Sequence, residues 1–239
     1  SGVTWGTNGF HLKFENSGNL GLDSSSNTAN WTAQGDLKQS PDTPSNSYAT
    51  LNPLNNYTAQ TFEAGNTSVK TISGNSVHQQ FVSTLGISSG KFYWELKNHL
   101  ATTSSSRIGI SSDYVIRNHY NLTGSGGHVG DDLYSYGYVA SNGQKENNDS
   151  QSSYGNSFTN GDILMVALDM DNNKLYFGKN GTWQNSGDPT SGSTGTGAAF
   201  TVTSGHTYFP ACSILGGGGE SYQFNFGNGY FGTTAVSSA

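Results

Sequence analysis

The chain has 239 residues, a formal net charge of −6 and only 11% charged residues, with 33 glycines and 12% aromatics. Without any basic run, that balance excludes nucleic-acid binding by phosphate neutralisation and disfavours acidic polysaccharides and membrane surfaces as partners. Good helix formers are scarce and small polar residues abundant, so short strands joined by loops are expected, in one large domain or two small ones.

In chain order, Phe10, Leu12 and Phe14 alternate with His11 and Lys13, the period of a half-buried strand. A loop-rich stretch follows with Pro41, Pro44 and Pro53, and Trp31, Tyr48 and Leu51 are its expected pins. Residues 1–60 are read as one segment packing on a sandwich of residues 61–232, with 233–239 as a tail. Strands are predicted at Thr67–Ile72, His78–Val82, Lys91–Lys97, Arg107–Ser111 and Tyr134–Ala140. Four more are predicted at Ile163–Asp169, Lys174–Phe177, Thr207–Ile214 and Ser221–Asn225. Asp169 to Asn173 and Lys179-Asn180-Gly181 supply turn chemistry between them. Long loops are expected near 112–132, 141–160 and 183–200, the last Gly/Ser/Thr-rich and mobile.

The lone Cys212 allows no intrachain disulfide, and its strand-like setting predicts a buried, inert thiol. The longest apolar runs are too short to cross a bilayer, and no charged-then-apolar leader opens the chain. The ends, SGVTWG and TTAVSSA, read as those of an excised piece of a longer protein.

Five blocks carry a family resemblance: Gly90 to Leu96 (GKFYWEL), Arg107 to Ile110 (RIGI), the hairpin from Gly161 to Gly181, Tyr208 to Ala211 (YFPA) and Asn225 to Gly227 (NFG). In this order they resemble the SPRY family. The resemblance implies an all-β fold, a two-sheet antiparallel β-sandwich built for binding, with ligands met by loops at one end. The first segment, from GFHLKF at Gly9 through the prolines to Pro53, is similar to a lead-in of marine bacteriophage virion proteins, where it precedes a SPRY-like sandwich.

Several patterns invite chemistry and read better as structure. Trp94 shares a strand face with Phe92 and Leu96, so it belongs to the core, and Glu95 on the other face pairs across the strand or with solvent. Asp169, Asp171 and Asn173 open like a calcium loop, but Lys174 stands where glycine is needed and no Glu closes it. Gly124, Gly126, Gly127 and Gly130 lack the strand-to-helix context of a dinucleotide fingerprint. Asp131, Asp132, Glu146 and Asp149 could supply a glycosidase pair, yet solvated loop acids are the plainer reading. The six histidines show no metal-ligand spacing, and no nucleophile elbow occurs. No catalytic residue, metal or cofactor is expected, and the Asn-x-Ser/Thr triplets read as chance in an Asn/Ser/Thr-rich chain.

The residues expected to meet a ligand are Asp113, Tyr114, Arg117, His119 and Tyr120, in a tyrosine-bearing loop among small polar residues, and Tyr154 and Trp183 at the edges of the other two loops. Two functions stand side by side. One is a non-catalytic recognition module of a phage tail fibre that binds host surface glycan or protein and contacts other virion proteins, hence a virion or extracellular location. The other is an architectural virion domain without a host ligand. Polysaccharide cleavage by the loop acids is a weaker third reading, and self-association into a homo-oligomer stays open.

Overall fold

The computed structural model describes residues 3–35, 37, 39, 42, 45, 47–55, 60–71, 78–100, 106–113, 127–215, 219–232 and 234–236. The chain divides into two compact units, Ser1–Ser47 and Tyr48–Ala239.

In the first unit the alternation at Phe10–Phe14 does not make a strand. Leu12 forms a single bridge with Asp23, Phe10 and Phe14 stay exposed, and Phe14 has φ 58°. The organiser is Asp23, whose carboxylate accepts hydrogen bonds from the backbone N–H of His11, Ser25 and Ala29, each at 2.8 Å, and from the Ser25 hydroxyl at 2.7 Å. Burial opposes its ionisation, but those four donors hold its carboxyl well below the usual range. Trp31 packs its ring 4.9 Å from Phe10 and, with Leu12, Phe14, Leu20 and Leu37, lines an apolar groove of about 480 Å³.

The second unit is an all-β sandwich. Its strands are β1 (Gln60–Glu63), β2 (Ser68–Thr71), β3 (His78–Val82), β4 (Lys91–Leu100), β5 (Arg107–Ser112), β6 (Ser135–Val139), β7 (Gln144–Asn147) and β8 (Ser150–Ser153). There follow β9 (Ile163–Asp169), β10 (Lys174–Lys179), β11 (Thr182–Trp183), β12 (Phe200–Thr201), β13 (Tyr208–Leu215), β14 (Ser221–Asn225), β15 (Tyr230–Phe231) and β16 (Thr234–Ala235). Among the described residues, the first sheet runs β1-β2-β14-β4-β9-β10-β11, with β12 also on β10. The second runs β3-β13-β5-β6-β7-β8, and β15 pairs β16.

Alternation decides what lies between the sheets. Trp94 and Leu96 of β4, Val166 and Leu168 of β9, and Phe177 of β10 point inward from the first sheet. Ile108, Ile110, Tyr138 and Cys212 meet them from the second. Tyr138 and Phe177 stack across the gap at 5.3 Å and 11°. Each such side chain contributes about 1.5–3 kcal/mol by leaving water. Leu51, an expected pin, is fully buried here and its N–H donates to Asn66 O at 2.8 Å.

Two expected loops have structure of their own. Within 141–160, β7 and β8 form a hairpin whose turn residues Asn148 and Asp149 both take left-handed φ, 51° and 55°. The sequence hides it because β8 is a wholly exposed polar edge strand and the one buried residue of β7 is Glu146. The 183–200 segment, expected to be mobile, folds through two short 3-10 turns. It is closed by Asp188 N–H to Thr196 O and Ala199 N–H to Leu175 O, at 2.9 and 2.8 Å. It covers Tyr176, which is 1% exposed with its hydroxyl 3.3 Å from Ser191 Oγ.

The outer face of the second sheet carries a strap, residues 127–132. Gly109 and Gly137 sit opposite each other on β5 and β6 and leave a gap in the side chains of that face. A Cβ on Gly137 would stand 2.6 Å from Val129 O. Val129 therefore seats against the sheet and packs with Val82, Ala211 and Phe209, while its N–H donates to Ser213 Oγ at 3.1 Å. Gly130 N–H donates to Ser135 Oγ at 2.8 Å.

Candidate functional site

The same alternation that buries Trp94 and Leu96 turns Tyr93 and Glu95 to the outer face of the first sheet. Tyr93 lies beside Ala167 of β9, and Ala167 beside Tyr176 of β10, so a small residue separates two tyrosines. One pair further along, Gly178 faces Trp183, and a Cβ on Gly178 would be 3.1 Å from the indole and 3.2 Å from Met165. Glycine there lets the indole lie down on the sheet. Tyr93 and Trp183 then meet edge to face at 6.2 Å and 74°. With Phe92, Ala167 and Pro189 they enclose a shallow groove of about 230 Å³.

Polar groups fix the rim. Tyr93 Oη donates to Glu95 Oε1 at 2.6 Å, and Glu95 Oε2 accepts from Asn225 Nδ2 at 3.2 Å, the cross-strand partner expected for Glu95. Burial, then the adjacent carboxylate, raises the Tyr93 phenol well above its ordinary range, so it stays a donor at neutral pH. At the other end Lys91 Nζ lies 3.2 Å from Asp169 Oδ2. Asp169 also accepts from Asn172 N–H and Nδ2, at 3.0 and 2.9 Å, which is the turn chemistry expected of this segment. The groove thus offers two half-exposed aromatic faces, a cation and fixed acceptors: the equipment of shallow recognition.

The expected ligand residues are not gathered in one place. Trp183 is in this groove. Asp113 follows β5 of the second sheet, its N–H bonded to Thr207 O at 2.9 Å. Tyr114, Arg117, His119 and Tyr120 lie outside the described residues. Tyr154 does not face a ligand surface. It is 9% exposed, its ring stands edge-on to both members of the stacked Tyr138–Phe177 pair, and its hydroxyl bonds the backbone of Phe177 and Gly197. Sequence reasoning missed Tyr93, although the alternation that places Trp94 inside also places Tyr93 outside. It had no signal for the Tyr134–His206 ring pair, 4.1 Å apart.

The loop acids have structural tasks. Asp131 Oδ2 accepts from His128 N–H at 2.9 Å, and Asp132 Oδ1 from Tyr134 N–H at 3.2 Å. Glu146 is 3% exposed and takes the Arg107 guanidinium on Oε2. Burial alone would raise its carboxyl, but hydrogen bonds from His128, Arg107 and Gln151 bring it down to about 2.

A SPRY-domain family profile matches residues 91–229. Among solved structures, the SPRY domain of human HERC1 is 18% identical, with a TM-score of 0.55 over 74% of this chain and 98% of that one. At that identity the likeness speaks to the fold, and it agrees with the two antiparallel sheets. No curated protein matches.

Proposed function

Because this chain belongs to the SPRY-domain family, whose members serve as protein-interaction modules and are generally non-catalytic, we propose that it is a recognition module whose ligand seats in the Tyr93–Trp183 groove. One observation carries this reading. Tyr93 is 51% exposed and Trp183 half-buried on an outer sheet face, where core packing asks for neither, and the Tyr93 phenol is held in place by its bond to Glu95. Rigid aromatics with a fixed polar partner are what shallow protein and sugar ligands use, ring faces for CH groups and directional bonds for hydroxyls and amides.

The fuller form of the proposal is a non-catalytic attachment module of a phage virion that meets host surface glycan or protein. It is supported by the resemblance of residues 9–53 to the virion lead-in, and weak single sites repeated on a particle would act through avidity. The test is binding of the full chain, labelled and multimerised on beads, to a panel of bacterial cells and their extracted surface glycans and proteins. Saturable, competable binding that Tyr93→Ala plus Trp183→Ala weakens by about tenfold or more is expected. Binding untouched by the double variant overturns the groove, and no binding across the panel points to the architectural role.

A further inference from the structure

The strap brings His128 against two acids of the β7–β8 hairpin, Glu146 and Asp149. The hairpin turn is tied to the strap by Asn148 N–H to Asp132 O and Asp149 N–H to Gly130 O, at 3.2 and 3.1 Å. Seating Val129 over Gly137 fixes the residue before it, and His128 Nε2 arrives 3.4 Å from Glu146 Oε1 and 3.5 Å from Asp149 Oδ1. One donor atom from each of the three lies within 4.8 Å of the others.

Those separations are meaningful. Metal–nitrogen and metal–oxygen bonds of about 2.0–2.2 Å at the tetrahedral angle put neighbouring ligand atoms about 3.3–3.5 Å apart. Two of the three pairs already stand at that spacing, and the remaining adjustment falls to Asp149, whose side chain is 71% exposed. One imidazole nitrogen and two carboxylate oxygens form a donor set for borderline divalent ions rather than for calcium, magnesium or thiophilic metals. An outer layer is also in place. Arg107 Nε holds the second oxygen of Glu146, Gln151 Nε2 donates to Oε1 at 3.1 Å, and the His78 ring packs against that of His128 at 4.9 Å.

We propose that His128 Nε2, Glu146 Oε1 and Asp149 Oδ1 bind one divalent transition-metal ion of the zinc class, with the fourth position open to water or to a donor from a partner. The ion fastens the strap to the edge of the second sheet.

The full chain, stripped of metal, is titrated with Zn²⁺ by calorimetry and with Co²⁺ by visible absorption. The expected result is one ion per chain, tetrahedral Co²⁺ bands, and a higher melting temperature with Zn²⁺. His128→Ala and Asp149→Asn should each weaken binding by about 10-fold or more, while His99→Ala, at an exposed position of β4 in the other sheet, should leave it unchanged. Asp149→Asn guards against misfolding, because Asp149 is exposed and lies outside the Arg107–Glu146 pair. Absence of stoichiometric binding overturns the site and leaves His128 as a bridge between two carboxylates. Binding that survives both variants, or that depends on His99, overturns it equally.

Discussion

Gly137→Ala isolates the contact that seats the strap. Gly137 does not have a positive φ, so its backbone accepts alanine, and the usual entropic benefit of replacing glycine is about 0.4–1 kcal/mol. Against this, the new methyl would lie 2.6 Å from Val129 O and 3.2 Å from Val129 C, both backbone atoms that cannot rotate away. Overpacking of this kind costs about 1–3 kcal/mol. The balance is a net loss centred on about 1.3 kcal/mol and reaching about 2.6 kcal/mol, and the central value lowers the melting temperature by about 3–5 °C for a chain of this size. The change should be local as well. Lifting the strap weakens the bonds from Val129 and Gly130 N–H to Ser213 and Ser135, so these two amides should exchange faster while those of β9 and β10 keep their protection. A variant that melts at or above the parent temperature, with both amides protected as before, would refute the seating of the strap on the glycine pair.

Trp183→Ala should lower ligand binding with little change in melting temperature, because the indole lies on an outer face; circular dichroism and binding on one sample check both. Leu96→Ala removes a fully buried side chain and should cost about 2–5 kcal/mol in denaturant unfolding. Asp162 meets Lys179 at 3.0 Å, and despite burial its bonds from Thr159, Asn180 and Lys179 lower its carboxyl. A folded value below the unfolded one of about 4 adds stability that is full above that pH and lost as pH falls through the lowered value. Asp162→Asn should therefore flatten the acid limb of the stability profile, read by thermal melts between about pH 2 and 6. Cys212 is fully buried and its thiol is pushed well up by that burial, so Ellman's reagent should label it only in denaturant.

The sandwich was legible where one sheet face is apolar. His78–Val82, Ile163–Asp169 and Ser221–Asn225 have the predicted bounds, and Asp169 to Asn173 makes the predicted turn. Legibility failed where burial is earned by ionic or backbone contacts. Glu146 is buried beneath the strap through Arg107, which gives β7 no hydrophobic period, and the strap depends on two absent side chains. The opposite error came from Phe10–Phe14, where a strand period exists without a sheet to join. The groove was half legible. Trp183 stood out as a loop-edge aromatic, but its neighbour Tyr93 is 90 residues away in sequence, and strand register alone brings them together. Tyr154 looked the same as Trp183 in sequence, since loop edges lead equally to the core and to the surface.

The most direct test of the recognition account is hydrogen exchange of the full chain, free and saturated with the ligand captured by the bead assay. The account predicts new protection at the amides of 91–95 and 182–189, the strand start and turn that wall the groove. Protection confined to other surfaces, with these amides exchanging as in the free chain, would contradict it.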